Sequence, residues 1–463
     1  MFYNNDHVPA EEINGGYCHV LLYSFCFLHR EYLLFSGFPF LSLRSSQKIK
    51  KSWFFFILFT IAFLYSNLLR ISGVVILPPL AESLGISASM VGFLSSLFFY
   101  TYGVSFVFWG TVADRLGSFK TCGISLIIAA AASAILAQAD TPLTIGIGRA
   151  LSGLGLSSAF TCVMLYTAQT FSRERYSFLV GIIMMIGHSG TVIAIAPLGA
   201  ALDAAGIAGV FNVLGIVALI IGAFMLICRK YDPILLEEKK DEKPLSLSRF
   251  VSDIKCGAII ICGSFPLLVV ILTWVTSSAS ISTLQGLWAV SWIQTTTGGA
   301  ILASRSCATW ISAGMVLGPF AGGFIVRRVA GSKKAFLIMC ILVELSWMLW
   351  MTVSFLGSGF DILGFSGFLT GFFSGAAFVF MGNSIRDLTP SKWTGTVIGL
   401  LNLLIYGFLI VFQWGTGFIL DLFPADPVSG YYSQTGYQIG FGIILIIQGF
   451  SFYLITKTRS FAS

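Results

Sequence analysis

From residue 53 to residue 456 the chain is a succession of apolar runs, each about twenty residues long, parted by short polar stretches. A run of that length crosses the hydrocarbon of a bilayer as a helix, the form in which a single segment satisfies its own backbone hydrogen bonds. Of the 463 residues, 56% are hydrophobic and 10% are charged, whereas a soluble globular chain carries about 25% charge. An all-α membrane protein is therefore expected. Polar breaks place twelve spans, at residues 53–80, 90–112, 121–138, 143–171, 178–201, 209–228, 260–294, 303–326, 335–356, 362–385, 395–420 and 437–456. Spans 1 and 7 are long enough to be tilted or bent.

These spans divide the chain. Residues 1–51 form an N-terminal extension, cytoplasmic or interfacial, whose apolar stretch is broken by His29, Arg30 and Glu31. Its early acids, Asp6, Glu11 and Glu12, do not make the basic start of a cleavable signal. Residues 52–228 and 260–457 form two six-helix bundles, joined by a charged linker at 229–259 and followed by a tail at 458–463. With the N-terminus in the cytoplasm, the inner segments hold Arg115, Lys120, Arg173, Arg175, Arg327, Arg328, Lys333, Lys334, Arg386, Lys392, Lys457 and Arg459. The outer loops hold Glu82, Asp140, Asp203, Asp361, Asp421 and Asp426, and no Lys or Arg. This asymmetry places both termini on the cytoplasmic side of an inner membrane. It also explains the net charge of +7 by topology rather than by affinity for nucleic acid. The nine cysteines lack C-x-x-C spacing, so no disulfide framework, metal site or cofactor is expected.

The halves repeat each other. LSGLGLSSAF at 151–160 aligns with LTGFFSGAAF at 369–378, and the same offset carries Gly181 onto Gly399. GFIVRRVAGSKK, from Gly323, echoes GTVADRLGSFK at 110–120. Two similar halves imply a binding site near the midplane between them and alternating access by rocking.

GTVADRLGSFK is too polar to sit in hydrocarbon and must join spans 2 and 3. It resembles the signature loop of the major facilitator superfamily, G-x-x-x-D-R-x-G-R-R/K. Gly110, Asp114, Arg115, Gly117 and Lys120 fall on matching positions, while Ser118 and Phe119 depart from the pattern. The resemblance covers about residues 52–457. It implies twelve transmembrane helices in two pseudo-symmetric six-helix bundles, transport rather than enzymatic catalysis, and a cytoplasmic latch made by the loop residues. Arg149, followed by Gly153 and Gly155, is similar to the family's span 4 pattern R-x-x-x-G-x-G and is grouped with the latch, serving structure or coupling.

Arg70 lies inside span 1, in SNLLRISGVVILPPL. A charge at that depth is costly and marks a functional position. Its planar fork suits an anion, bonding two oxygens at once. Asn67 lies one turn earlier on the same face. The spacing from Arg70 to Pro78 resembles span 1 of the organophosphate and sugar-acid transporters of the superfamily, where such an arginine contacts an anionic substrate. Those antiporters carry a second arginine in span 7; here that stretch reads STLQGLWAVSWIQ, which favours a monoanion or zwitterion over a phosphate dianion. Gln285, Trp288 and Trp292, three and four residues apart, are expected to form the opposite wall, although the tryptophans suit plain packing equally well. His188 in span 5 is a candidate for binding substrate or a proton. Glu344 falls in a peripheral span, and Arg305 opens span 8 where its side chain would snorkel. Spans 1, 2, 4, 5, 7, 8, 10 and 11 hold no Asp or Glu, which disfavours proton-driven export of cations, and no Walker loop is present.

The expected function is secondary transport of a small organic anion or zwitterion: a carboxylate, sugar acid, sugar phosphate or amino acid. Import is preferred, driven by protons or a counter-substrate, by a monomer whose other partner is the lipid bilayer. Two alternatives stay open, a multidrug or metabolite exporter and a transporter-like ligand sensor.

Overall fold

The computed structural model describes residues 46–233, 247–329, 333–390, 393–424 and 431–458. Residues 1–45 of the expected extension, 234–246 of the linker and 459–463 of the tail lie outside the described residues, as do Lys392, Asp426 and Arg459 among the loop charges. The chain divides into two units, Met1–Phe54 and Phe55–Ser463. Of the first, only the opening turns of helix α1 are described; the remaining helices belong to the second.

Span 1 is made of α1 (Ser46–Ile71) and α2 (Gly73–Leu84), span 2 of α3 (Ala88–Leu116) and span 3 of α4 (Ser118–Ala137). Span 4 is α5 (Pro142–Leu156) with α6 (Ser158–Thr170). Span 5 begins as α7 (Arg173–Ile193) and continues into α8 (Ala196–Ile227), which turns sharply at Gly206, φ 67°, and returns as span 6. After α9 (Leu247–Gly263), span 7 comprises α10 (Phe265–Thr283), a π-helical turn at Leu284–Trp288 and α11 (Ala289–Thr297). Spans 8 to 12 are α12 (Ile301–Val329), α13 (Lys333–Phe355), α14 (Phe360–Leu388), α15 (Thr394–Asp421) and α16 (Gln434–Lys457). Eleven described stretches are long and apolar enough to cross a membrane, and the shorter apolar helix Leu179–Ile193 adds the twelfth.

The spans form two six-helix bundles with matching internal packing. Span 2 packs on span 4 as span 8 packs on span 10, and span 3 on span 6 as span 9 on span 12. Between the bundles, span 2 meets span 11 as span 8 meets span 5. In a bilayer such contacts gain from van der Waals fit rather than from water exclusion, so small residues mark them. The sequence repeat has this cause. A side chain at Gly153 would run into the Phe98 carbonyl of span 2, and one at Gly371 into the Ile311 carbonyl of span 8. Gly314 and Gly318 on span 8 press likewise against the span 10 backbone. The other repeated pair, Gly181 and Gly399, meets nothing within 4 Å, and no packing explains it.

One end of the bundle carries Arg115, Lys120, Arg175, Arg328 and Lys334 and is called the basic end; the other carries Glu82, Asp140, Asp203, Asp361 and Asp421 and is called the acidic end. At the acidic end the two halves are tied together. The Asp421 carboxylate, at the end of α15, accepts the backbone N–H groups of Ala88 (2.7 Å) and Ser89 (2.8 Å), the first residues of α3. A carboxylate is well placed there, because the first N–H groups of a helix have no partner within it and the helix dipole favours negative charge. Across the other seam, Arg305 of span 8, 3% exposed, pairs with Asp203, and the Ala196 N–H donates to Thr309 Oγ1 at 3.2 Å. Gly199 leaves the room in which the Arg305 side chain lies. Beside Asp421, burial and then that carboxylate push the Tyr432 hydroxyl up to about 12, so it stays neutral.

These contacts predict two outcomes. Gly371→Ala drives a methyl into the span 8 backbone and is expected to destabilise the fold by about 1–3 kcal/mol, whereas Gly399→Ala, with open space around it, stays within about 0.5 kcal/mol. Melting of the two purified variants beside wild type checks this; equal melting temperatures would refute it. Asp421→Ala removes two charge-assisted hydrogen bonds and shifts the population toward an open acidic end by roughly tenfold or more. Spin labels at residues 140 and 361, both exposed on that end, read the shift as a new long-distance component; an unchanged distance distribution would mean that Asp421 does not hold the end shut.

Candidate functional site

Span 1 breaks in the middle of the bundle. α1 ends at Ile71, the Ser72 hydroxyl folds back to donate to the Leu69 carbonyl at 2.8 Å, and α2 starts at Gly73. Span 7 is also irregular, at its π-helical turn. The two breaks face each other: a Cβ on Gly73 would stand 3.2 Å from the Gly286 carbonyl oxygen and 3.3 Å from Arg149 Nη2. A larger residue at Gly73 asks the Gly286 carbonyl and the Arg149 side chain to give way by a few tenths of an ångström.

Arg70 sits one residue before the end of α1 and is half-buried. Its Nη2 donates to Asn67 Oδ1 at 2.8 Å, and Asn67 in turn donates to the Phe63 carbonyl at 3.1 Å. Among the described residues no carboxylate pairs with Arg70. Within its electrostatic reach lie His188 of span 5, Tyr102 of span 2 and Tyr406 of span 11. Tyr102 and Tyr406 meet across the seam between the halves, their ring centroids 5.3 Å apart. Among the described residues Asn67 Oδ1 is the one oxygen that takes an Arg70 guanidinium donor, at the depth where the halves meet.

The expected substrate residues thus divide. Arg70, Asn67 and His188 come together. Gln285, Trp288 and Trp292 do not join them as the opposite wall. Gln285 donates to Ser312 Oγ of span 8 at 2.6 Å and is 3% exposed. Both tryptophans are fully buried in the second bundle: Trp288 packs edge-on against Tyr432 and Tyr437, and Trp292 stacks on Tyr437 and Phe441 and meets Trp350 edge-on. From the second half, Tyr406 on span 11 meets Tyr102 and lies within reach of the Arg70 charge.

The expected latch residues divide too. Gly110 through Leu116 are the last turns of α3, and Ser118 through Lys120 open α4, so the loop is one residue long: Gly117, φ 82°. Asp114 and Arg115 are exposed and Lys120 is half-exposed. Phe119, which departs from the family pattern, is fully buried among Phe55, Phe59 and Tyr166, with ring centroids 4.9 Å, 5.0 Å and 5.6 Å away. Asp232, just past span 6, accepts the Phe119 N–H at 2.9 Å and occupies the space a side chain at Gly117 would need. Arg149 lies elsewhere, in the acidic half of span 4. It is 3% exposed, donates to the carbonyls of Ser95 (3.3 Å) and Leu69 (3.5 Å), and lies 4.9 Å from the Phe98 ring. It staples spans 1, 2 and 4 behind the Gly73 contact and takes no part in the turn at Gly117. Glu344 is half-buried between spans 9 and 12, where it accepts from Gln448 at 3.1 Å.

Sequence reasoning missed Tyr102, Tyr406, Asp232 and the bridging role of Asp421. One signal was present: Phe98, Tyr102 and Phe106 recur every four residues along one face of span 2. The acids carried none, because each binds a helix start more than a hundred residues away.

Comparison with curated proteins finds no match. Among solved structures, the fold is similar to that of a bacterial homolog of the human lysosomal transporter Spinster in an inward-facing, unoccupied conformation. The TM-score is 0.70 at 13% identity, over 89% of this chain and 97% of that one. A structure of such a homolog in an inward-facing, occupied conformation gives a TM-score of 0.65 at 11% identity, over 88% and 97%. Identities this low speak to fold. The sequence itself matches the Major Facilitator Superfamily family model over residues 54–413, a stretch that runs from span 1 into span 11 and includes both the Gly117 turn and the Arg70 break. The chain is a multi-pass membrane protein and belongs to the major facilitator superfamily.

Proposed function

We propose that this protein is a secondary transporter of a small organic anion or zwitterion, held by Arg70. The observation that carries the reading is the guanidinium itself: placed at mid-span, at the seam between the halves, with Asn67 as its hydrogen-bond partner and, among the described residues, no carboxylate paired with it. A guanidinium has five N–H donors and cannot be neutralised at physiological pH, so an incoming carboxylate or phosphate oxygen finds donors free. Asn67 orients the fork, and His188 and the Tyr102 and Tyr406 hydroxyls stand where they can contact the remainder of the ligand.

The tied acidic end supports alternating access. While Asp421 holds α3 and Asp203 holds Arg305, a ligand reaches Arg70 from the basic end; release of those contacts opens the other route. Charge asymmetry argues that the basic end is cytoplasmic, with both termini inside an inner membrane. The lack of acids in the eight spans that line such a centre argues for an anion and against proton-coupled export of cations. We take the direction as import, coupled to protons or to a counter-substrate, by a monomer. The kinship with organophosphate and sugar-acid carriers stands on the Arg70–Pro78 spacing alone.

Equilibrium binding and uptake into proteoliposomes test the reading. Arg70→Ala is expected to weaken anion binding roughly ten- to a hundredfold, and Arg70→Lys to restore only part of it, since a point charge replaces the fork. Anion uptake by Arg70→Ala at the wild-type rate would overturn the assignment.

A further inference from the structure

Arg70 does not lie in a polar pocket. A chain of rings runs around it, each centroid close to the next: Tyr406 to Tyr102 at 5.3 Å, Tyr102 to Phe106 at 6.5 Å, Phe106 to Phe160 at 6.2 Å, Phe160 to Phe63 at 5.2 Å, and Phe63 to His188 at 6.1 Å. Phe63, seven residues before Arg70, lies on the same face of α1, and the two ends of this belt of rings, Tyr406 and His188, both feel the guanidinium's charge. Spans 1, 2, 4 and 5 of one half supply five rings and span 11 of the other supplies the sixth. Phe106, Phe160, His188 and Tyr406 are only half-buried although they sit in mid-bundle, so each keeps part of its ring uncovered by protein. The belt is also built for its rings. Phe63 occupies the place a side chain at Gly187 would take, and the Tyr406 ring lies 3.2 Å from where a Cβ on Gly103 would stand.

We infer that the ligand of Arg70 carries its single negative charge on a flat, apolar body, as an aromatic monocarboxylate does, rather than on a polyhydroxylated chain. This rests on the reading that Arg70 binds the anionic group. The belt offers faces and edges of rings, which favour another ring in offset or edge-on contact. It offers few hydrogen-bonding groups, two tyrosine hydroxyls and one imidazole, so the hydroxyls of a sugar acid would lose water without gaining partners. One arginine matches one carboxylate.

Calorimetric titration of the purified full-length protein with benzoate, cyclohexanecarboxylate, gluconate and octanoate tests this. Benzoate is expected to bind about tenfold tighter than gluconate, and tighter than cyclohexanecarboxylate, which has the bulk without the π face. Phe160→Leu is expected to weaken benzoate several-fold more than it weakens gluconate. Should Phe160→Leu fail to fold, Tyr406→Leu removes a ring on the other half and predicts the same loss. Equal affinity for benzoate and gluconate, with both lost in Arg70→Ala, would overturn the aromatic inference and leave the anion reading standing. Octanoate binding tighter than benzoate would replace the ring by a lipid-like tail and overturn it too. Ring-dependent benzoate binding that survives Arg70→Ala would instead overturn the anion reading on which it rests.

Discussion

A guanidinium inside a membrane must find oxygen, and the two arginines near the centre of this protein do so in opposite ways. Arg149 is fully enclosed and takes backbone carbonyls from spans 1 and 2, with the Phe98 ring against its face. Its two terminal nitrogens are engaged, while its buried Nε finds no partner among the described residues. Arg70, one span away, is left with a single neutral amide and an opening toward the seam. Charge buried in hydrocarbon is costly unless it is paired or hydrated, so a half-satisfied arginine at this depth persists only where solvent or a ligand reaches it. The centre of the protein is arranged by this contrast: one arginine fixes the backbone of the broken span, and the other is presented by it.

The rest of the architecture supplies the close approach that makes such a centre possible. Glycines at positions 153, 314, 318 and 371 let helices within each half touch backbone to backbone. Their rigidity allows the halves to move as bodies, because contacts within each half leave no slack to absorb a displacement. Between the halves there are ties of another kind as well. Beside the backbone contacts that Gly92 and Gly417 make across the span 2–span 11 seam, they include carboxylates on a helix start and on an arginine at the acidic end. Asp232 does the corresponding work within one half, fastening the end of span 6 to the start of span 3.

Much of this was legible in the sequence, and the boundary of what was legible is physical. Apolar run length gave the spans, because hydrocarbon admits little besides helices. The glycine repeat and the single-residue turn at Gly117 were visible because steric demands at such points leave almost no other residue. Arg70, Asn67 and His188 were found because polar groups in an apolar context are rare. The wall opposite Arg70 was not found. Gln285, Trp288 and Trp292 were assigned to it from helical spacing, but the π-helical turn at Leu284–Trp288 adds a residue to the helix there and rotates the remainder of the span by about 100°. The tryptophans face the core of their own bundle, both against Tyr437, and the ring of the second half that meets Tyr102 is Tyr406. Nothing local in span 11 signals this, since its partners Tyr102 and Gly103 lie some three hundred residues away in sequence.

The meeting of Gly73 and Gly286 has a mechanical consequence. Where two interlocking side-chain surfaces slide, rotamers must be undone and remade, and the path is rough. At the Gly73–Gly286 contact backbone meets backbone, with the Arg149, Gln413 and Ile71 side chains closing in from the flanks. Backbone against backbone resists a tilt of the halves less at that contact than interlocked side chains would. A side chain grown there would act as a brake, slowing the exchange between states even where it left each state's binding chemistry intact.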